Sequence, residues 1–427
     1  MIYCLVPEKN SFGGRDYAGS KALIEAFQSV NNSIKILPSD IKKIKSIIKD
    51  NINTKKSKVI STPNAGYLLR LNLNPNPLKK FLATKSTKIQ EKGINIFKKN
   101  KIETILIWDD PLGQFTNEIY ENEIKIETSK NGILKSLKTY FSNWNCTHYS
   151  WDTGHIDWVK SLKIIDEKRI RYNPLLYPQS YKKEKDNRLC NRDVIFVGNL
   201  YINESKNSKF FNDYKTIEAC DFITQQLTPF DCKNRIDILK KAYRIFYAPN
   251  SQLPEDDIYF WKIYREINWK FVNSLRRMQI LGGVNNEISY FGNFADPNSK
   301  NYLNTNIKFK GTMDYFTDLP NIFEESKITL DVVNSLSING INGKFYECFA
   351  ANGFMLIDHK KDLSSIIGNE YASLISYKSL EDCQTKINYF LQRDKEREEL
   401  RINIKKIITA NYSPQSWAET VLGENKK

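Results

Sequence analysis

The stretch from Asn339 to Asp358 carries small residues, a lysine and a glutamate at spacings that suit a phosphorylated ligand. Its sequence, NGINGKFYECFAANGFMLID, predicts a glycine-bearing loop, a short helix that opens near Lys344 and a following strand. Gly343 lets backbone N–H groups approach a ligand, and a helix start adds unpaired donors and a positive dipole end. Lys344 adds a full positive charge, and the Glu347 carboxylate, one turn on, suits a vicinal diol. A diphosphate joined to a ribose fits these groups; the alternative is a capped helix whose Glu complements the dipole.

Three predicted strands that precede this stretch each end in small or polar residues. In open α/β sheets, ligands bind outside the carboxyl ends of the strands, where short side chains let a nucleotide approach the backbone. Each turn alone is ordinary turn chemistry, but their order along the chain before Lys344 favours one shared ligand site. The turn residues are Gly198 and Asn199, Gly292 and Asn293, and Gly311, Thr312 and Met313.

The N-terminal half contains a strand that ends in two carboxylates, within ILIWDDPLG from Ile105 to Gly113. A carboxylate at a strand end can take the proton of an attacking hydroxyl and so act as a general base. Asp110 is the first candidate because it lies further beyond the strand, and Asp109 is the second. The alternative is a strand terminator, since Asp-Asp-Pro is common in turns and Asp caps helices.

The segment Trp144–Trp158 carries three tryptophans, one tyrosine and two histidines. Aromatic rings beside polar groups suit sugar faces or a base taken out of its stack. Trp151, Asp152 and His155 are therefore candidate acceptor-binding residues, and His155 is an alternative base. The competing interpretation is an aromatic core layer between a strand and its helix.

A glycine pair, Gly13 and Gly14, follows the first predicted strand within SFGGRD. It predicts either a loop against a donor or a simple tight turn. The segment is not GxGxxG and has no acidic residue at the downstream spacing of a nicotinamide-type site, so a dinucleotide site is disfavoured.

Composition places the 427-residue chain among folded globular proteins, with 41% hydrophobic and 12% aromatic residues. It is long enough for two domains, and no apolar run is long enough to cross a bilayer. Scattered cysteines without a CxxC pair predict a reducing compartment, and three histidines without a zinc-type pattern disfavour a structural metal site. The net charge of +15 favours polyanionic partners such as nucleic acid, or else reflects the lysine-rich composition of an AT-rich genome.

Apolar runs alternate with polar helical stretches, which predicts an α/β protein with parallel, doubly wound sheets. The predicted strands are Ile2–Val6, Ser33–Leu37, Lys58–Ile60, Thr104–Trp108, Val194–Val197, Glu287–Phe291, Ile307–Lys310, Ile328–Val333, Phe354–Ile357 and one near Ser373–Ile375. The predicted helices include Ser20–Val30, Asp40–Lys49, Ile236–Tyr247, Tyr259–Gln279, Leu380–Asp394 and Lys395–Thr409. A Pro-punctuated and then charged segment around 172–191 marks a domain boundary. We therefore predict Rossmann-like domains over 1–180 and 190–410, with a tail over 411–427 that packs back on the first domain.

The ordered motifs between Asp193 and Asp358, with a weaker echo near Asp110, resemble the nucleotide-sugar signature of GT-B glycosyltransferases. They look most like the phage DNA β-glucosyltransferases and the CgeB-like "group 1" glycosyltransferases, over less than half of the chain. The resemblance implies two Rossmann-like domains facing a central cleft and a nucleotide-sugar donor, in the first place a UDP-sugar. In these families a basic residue meets the diphosphate, a Glu holds the ribose, and an Asp closing a strand is the base. The resemblance therefore implies donor-site roles for the residues of the three strand-end turns, for Gly13 and Gly14, and for Gly343, Lys344, Phe345 and Glu347.

Two departures from the family pattern accompany this resemblance. The phage enzymes carry an Arg where this chain has Lys344, and further arginines after the first turn, where this chain continues LYINESK without any. Lysine binds phosphate as a point charge and lacks the bidentate fork of arginine. Retaining enzymes of this fold often carry a Glu eight residues before the ribose Glu, and Asn339 in that place favours inversion.

The expected activity is transfer of a sugar from a nucleotide-sugar to an acceptor hydroxyl, with inversion. The charge and the phage resemblance favour DNA that carries a hydroxymethylated pyrimidine as acceptor. The alternatives are a glycan of cell-surface polysaccharide assembly at the membrane surface, and a non-catalytic nucleotide- or nucleic-acid-binding protein of the same fold. The sequence indicates no divalent-metal requirement and no oligomeric state. We expect the protein in the cytoplasm, that of the host if the chain is phage-encoded.

Overall fold

The structure is a computed structural model, and it describes residues 2–5, 14–30, 34–37, 46, 58–61, 102–108, 134–135, 138, 146–178, 181, 190–200, 214–230, 235–293 and 297–423. The chain divides into two compact units. The N-terminal unit comprises Met1–Asn173, Glu255–Trp261 and Pro414–Lys427, and the C-terminal unit comprises Pro174–Pro254 and Lys262–Ser413. Each unit has its own parallel sheet.

The N-terminal unit contains a six-stranded sheet in the order β2-β1-β3-β4-β5-β6. Every pairing in it is parallel. Its strands are β1 (Ile2–Leu5), β2 (Ile34–Leu37), β3 (Lys58–Ser61), β4 (Glu103–Trp108), β5 (Cys146–Ser150) and β6 (Ile170–Tyr172). The helices described in this unit include α1 (Gly14–Val30), α2 (Thr153–Ser161) and α13 (Pro414–Leu422). Helix α13 packs on α1 through Trp417 and Phe27, with ring centroids 5.8 Å apart.

The C-terminal unit contains a second six-stranded parallel sheet, in the order β12-β11-β10-β7-β8-β9. Its strands are β7 (Arg192–Val197), β8 (Ile288–Phe291), β9 (Ile307–Gly311), β10 (Ser326–Asp331), β11 (Met355–Asp358) and β12 (Ser376–Tyr377). The central strands read as continuous apolar runs because both faces of a parallel sheet are covered. Ile195, Phe196, Ile328 and Leu330 are accordingly fully buried.

Helices connect the strands of the second sheet and follow it to the end of the unit. They are α3 (Tyr214–Gln226), α4 (Arg235–Phe246), α6 (Asn273–Gly283), α7 (Leu319–Glu324), α8 (Gly343–Ala350), α9 (Leu363–Ile367), α10 (Asn369–Ile375), α11 (Leu380–Gln392) and α12 (Asp394–Tyr412). The predicted helix Tyr259–Gln279 is helical throughout but in three pieces: α5 (Ile258–Ile263), a π-helix over Tyr264–Val272, and α6. No helix in the described ranges is long and apolar enough to cross a membrane.

Two parallel α/β sheets confirm the predicted fold class, and most predicted strands lie within a residue or two of the observed ones. The strand predicted near Ser373–Ile375 is present but begins one residue after this range, as Ser376–Tyr377, because Ser373–Ile375 end helix α10. The Ser376 hydroxyl donates to the Ala372 carbonyl oxygen at 2.6 Å, which closes the last helical turn just before the strand. Most of the predicted helix Asp40–Lys49 lies outside the described residues.

Candidate functional site

The turns that follow β7, β8 and β9 lie side by side in the C-terminal unit. The Gly198 N–H donates to the Phe291 carbonyl oxygen at 3.0 Å, and the Gly292 N–H donates to the Gly311 carbonyl oxygen at 3.1 Å. The structure therefore brings together the three glycine turns that were predicted to share a ligand. They form one edge of the sheet at the carboxyl ends of its strands, where ligands bind in this type of sheet.

The residues that follow Gly198 and Gly292 continue this contact. The Asn293 N–H donates to the Asn199 side-chain oxygen at 3.3 Å, and the Leu200 N–H donates to the Asn293 carbonyl oxygen at 3.3 Å. Both asparagines are exposed. Beyond β9, Thr312 is exposed and Met313 packs partly against the core.

Two of these glycines are required by geometry. A Cβ at Gly292 would lie 2.0 Å from the Gly198 carbonyl oxygen, so no larger residue fits without moving the backbone. Gly311 has a φ of +121°, in a region that other residues rarely adopt. The close approach of β7 to β8 and the turn after β9 therefore depend on residues without side chains.

Helix α8 begins at Gly343 with Asn342 at the N-cap position, in an extended conformation. Glu347 is buried, and its Oε1 lies 3.4 Å from where a Cβ on Gly343 would be. The carboxylate therefore lies back over the first turn of its own helix, as the sequence predicted. Phe345, in contrast, has a fully buried side chain that packs on Phe349, with ring centroids 5.0 Å apart.

Lys344 lies beside the end of β7 and already has a carboxylate partner. Its Nζ donates to Asp331 Oδ1 at 2.7 Å and to the Val197 carbonyl oxygen at 2.5 Å, and it lies 5.4 Å from the centre of the Phe196 ring. Asp331 is fully buried at the end of β10, and 12% of the Lys344 side chain is exposed. A phosphate at this place would meet an ion-paired lysine.

Arg277, on helix α6, is a basic residue at this edge that the sequence motifs do not indicate. Its NH1 donates to the Asn199 carbonyl oxygen at 2.7 Å, and its guanidinium carbon lies 5.6 Å from the centre of the Phe196 ring. The loop after β7 lacks its own arginine, but the fold brings one to it. The neighbouring Arg276 has a structural role, since it pairs with the buried Asp358 at 2.8 Å.

Tyr315, in the loop between β9 and α7, is a second residue that the motifs did not indicate. Its hydroxyl is hydrogen-bonded to Glu347 Oε1. The two residues lie far apart in sequence, and neither the glycine turns nor the helix pattern connects them. The described part of the chain holds no group of three His, Cys, Asp or Glu residues that could bind a metal ion.

In the N-terminal unit, the structure describes only part of the predicted site. Asp109, Asp110 and Gly13 lie outside the described residues, and Gly14 is the first residue of α1. Strand β4 ends at Trp108, which is paired in register with Ser150 at the end of β5. The candidate residues after β5 therefore follow a strand adjacent to the one that precedes the two aspartates.

Asp152 caps helix α2. Its Oδ1 accepts a hydrogen bond from the His155 N–H at 3.2 Å, and its Oδ2 lies 3.8 Å from His155 Nε2. Both side chains are buried, whereas Trp151 is half-buried. Of the candidate acceptor-binding residues, Trp151 is thus the one that reaches the surface of this unit.

The other aromatic residues of this segment belong to the core. Trp158 stacks on Trp261 with ring centroids 5.1 Å apart, and its indole N–H donates to Glu255 Oε1 at 3.2 Å. Trp108 donates to His148 Nδ1 at 3.3 Å, and burial lowers the pKa of His148 to about 3. These contacts agree with the aromatic core layer that was the competing interpretation of the segment.

Residues 265–423 match the model of a family described as glycosyl transferase-like. The matched range includes the turns after β8 and β9 and the start of α8. The match confirms the predicted resemblance to glycosyltransferases, and with it the prediction of an enzyme of this class. Together with the two parallel α/β sheets, it supports the predicted fold of two Rossmann-like domains. No curated protein matches the sequence.

Several solved structures are similar to the chain along nearly its whole length. T4 phage β-glucosyltransferase is 11% identical over 100% of this chain and 99% of its own, with a TM-score of 0.47. Anabaena HepE in complex with UDP is 8% identical over 99% and 98%, with a TM-score of 0.48. WaaG, a glycosyltransferase involved in lipopolysaccharide biosynthesis, is 10% identical over 99% of each chain, with a TM-score of 0.41.

Proposed function

We propose that the protein transfers a sugar from a nucleotide-sugar, in the first place a UDP-sugar, to an acceptor hydroxyl. The observation that carries this proposal is the position of the Glu347 carboxylate over the first turn of α8, next to Gly343. A ribose diol bound to this carboxylate would place its diphosphate at the helix start, where N–H groups and the dipole favour an anion. Lys344 and the adjoining turns at Gly198 and Gly292 supply the rest of the donor site.

The proposed reaction is a single displacement with inversion at the anomeric carbon. A carboxylate takes the proton of the acceptor hydroxyl while its oxygen forms a bond to the anomeric carbon. The bond from that carbon to the diphosphate oxygen breaks, and the nucleoside diphosphate leaves with the electron pair. Asp110 is the proposed base, with Asp109 as second choice and His155 as the alternative. Asn339 stands where retaining enzymes often carry a Glu, which supports inversion.

The proposed acceptor is DNA that carries a hydroxymethylated pyrimidine. The proposed location of the reaction is the cytoplasm. The net charge of +15 supports a polyanionic acceptor. Binding to duplex DNA should then fall with salt, with a log–log slope of about −0.9 for each phosphate contacted. Weak, salt-insensitive binding to duplex, together with sugar transfer to an oligosaccharide, would instead identify a glycan acceptor.

A screen of nucleotide-sugars by thermal stabilisation tests the donor. A ligand present at a hundred times its Kd stabilises the folded protein by about 2.7 kcal/mol. We expect UDP-sugars to stabilise the wild type and to lose most of this effect with Glu347→Gln, which keeps the size of the side chain but not its charge. Equal stabilisation of both proteins would remove Glu347 from the site. Donor binding without hydrolysis or transfer under any acceptor condition would indicate a non-catalytic binding protein.

A further inference from the structure

The contact between Tyr315 and Glu347 joins two segments of the C-terminal unit at the candidate donor site. The Tyr315 hydroxyl donates to Glu347 Oε1, the same oxygen that lies closest to Gly343. Glu347 is buried and Tyr315 is half-buried. A hydrogen bond to a charged acceptor is stronger than one between neutral groups, and it fixes the orientation of the carboxylate.

The loop that carries Tyr315 is held in place by its own aspartate. Asp314 Oδ1 accepts hydrogen bonds from the N–H of Phe316 at 2.8 Å, from the N–H of Thr317 at 2.9 Å and from the Thr317 hydroxyl at 3.0 Å. The hydrogen bonds from Thr317 and Phe316 lower the pKa of the Asp314 carboxyl, so this arrangement is present at neutral pH. The backbone on the C-terminal side of Tyr315 is therefore fixed without any ligand.

Tyr181 holds Tyr315 from another direction. The buried Tyr181 hydroxyl donates to the Tyr315 carbonyl oxygen, and the two rings lie 5.3 Å apart. Tyr181 is itself part of the core of the C-terminal unit. The Tyr315 hydroxyl thus reaches Glu347 from a preset position.

We propose that Tyr315 is a positioning residue that orients the Glu347 carboxylate toward a ribose diol. An ionised carboxylate offers about four lone-pair sites, so it can accept Tyr315 and both hydroxyls of a diol together. This inference rests on the proposed function, because the diol belongs to the nucleotide of the donor. It implies that the preference for ribose over 2′-deoxyribose depends on Tyr315 as well as on Glu347.

Tyr315 could instead compete with the ribose for Glu347, and this arrangement predicts the opposite effect on UDP binding. If the Tyr315 hydroxyl occupies the place of a ribose hydroxyl, the donor must displace it, and removing the hydroxyl strengthens binding. If Tyr315 positions Glu347, removing the hydroxyl weakens binding of the ribonucleotide more than that of the deoxyribonucleotide. The sign of one substitution therefore distinguishes the two.

The test is calorimetric titration of the full chain with UDP and with 2′-deoxy-UDP. We expect Tyr315→Phe to weaken UDP binding by about tenfold and to bring the ratio of the two Kd values close to one. Glu347→Gln should abolish the same preference. Tyr389→Phe is the matched control, because Tyr389 makes the same kind of hydrogen bond, to Glu396 on helix α12, and should retain the wild-type values.

The outcomes distinguish the positioning role of Tyr315 from the proposed UDP donor site. Tighter UDP binding by Tyr315→Phe, or an unchanged ratio of Kd values, overturns the positioning role while Glu347→Gln still tests the donor site. A wild type that binds neither UDP nor 2′-deoxy-UDP overturns the UDP donor and this inference with it.

Discussion

Substitution of Lys344 tests both the stability of the C-terminal unit and the donor site. The structure predicts that a single substitution there lowers stability and weakens donor binding at the same time. Asp331 is fully buried, and its carboxylate accepts from Lys344 at 2.7 Å and from the Asn342 amide at 3.3 Å. Lys344→Met removes the cation and leaves the carboxylate with one neutral partner. Breaking a buried ion pair in this way costs about 3–5 kcal/mol. Because whole domains are stable by only about 5–15 kcal/mol, weaker donor binding by this variant alone would be ambiguous.

A double substitution separates the two effects. Asp331→Asn combined with Lys344→Met removes both charges at nearly constant volume, and the new amide oxygen can still accept from Asn342. Replacing both members of a buried pair is often close to neutral for stability. We therefore expect the double variant to recover most of the stability that Lys344→Met loses. It should nonetheless bind UDP about 10- to 100-fold more weakly than the wild type, since the charged contact to phosphate is absent.

The assay has two parts. Urea unfolding is monitored by hydrogen exchange in peptides of β10 and α8, and UDP binding is measured by calorimetric titration. Exchange in these peptides reports on the C-terminal unit separately from the other unit. Wild-type stability of Lys344→Met would refute the argument that Asp331 depends on this lysine. Wild-type UDP affinity of the double variant would refute the assignment of Lys344 to the diphosphate.

Three further predictions concern single positions in the two units. Gly292→Ala should destabilise the C-terminal unit by about 1–3 kcal/mol, measured by urea unfolding, because its Cβ would lie 2.0 Å from the Gly198 carbonyl oxygen. Gly343→Ala should change the stability little, because its Cβ would contact only flexible side chains, of which Glu347 Oε1 is nearest at 3.4 Å. The same Cβ would stand beside the carboxylate at the helix start and should weaken UDP binding. A UDP affinity equal to that of the wild type would contradict this. His148 has a pKa of about 3 when folded and 6.5 as its ordinary value. Between these two pH values the unfolded chain therefore binds a proton that the folded chain excludes. The free energy of unfolding should fall as the pH drops from 6.5 toward 3, and it should fall less steeply in His148→Gln than in the wild type. Identical pH profiles for the two proteins would contradict the burial of a neutral histidine.

The strand-end turns could be predicted from the sequence because their signals are local. A buried parallel strand is a continuous apolar run, and the residue after it must turn; Gly198 and Gly292 follow such runs directly, whereas Gly311 ends the half-exposed edge strand β9. The sheet then places consecutive strand ends at one edge, whatever the exact strand order. In this sheet β7, β8 and β9 are also neighbours, so the three turns lie together although many residues separate them.

Strands β5 and β6 were not predicted, because their sequences do not have the same signal. Strand β5, CTHYS, carries one histidine and three small or polar residues, and it lies between β4 and β6 in the sheet. The imidazole of His148 fits that interior because Trp108 donates to it. A polar strand of this kind is recognisable only once its partners are known.

Tyr315 and Arg277 were missed for a different reason. Each acts on a motif residue across a long sequence separation, Tyr315 on Glu347 and Arg277 on Asn199. A tyrosine in a loop and an arginine in an amphipathic helix are ordinary in sequence. Only the fold shows that their polar groups reach the candidate donor site.

The π-helix over Tyr264–Val272 shows how such long-range contacts give the site its geometry. The Asn268 amide donates to the Ser335 carbonyl oxygen at 3.2 Å, the Ser335 hydroxyl donates to the Asn268 carbonyl oxygen, and the Ser335 N–H donates to Asn273 Oδ1 at 3.2 Å. In an α-helix, residues five apart point about 140° away from each other. The i→i+5 hydrogen bonds of a π-helix bring them toward one face, so Asn268 and Asn273 can hold Ser335 together. The loop that leads from β10 to Gly343 is therefore fixed by a helix distant in sequence, which explains why short motifs indicate a candidate site but not the groups that shape it.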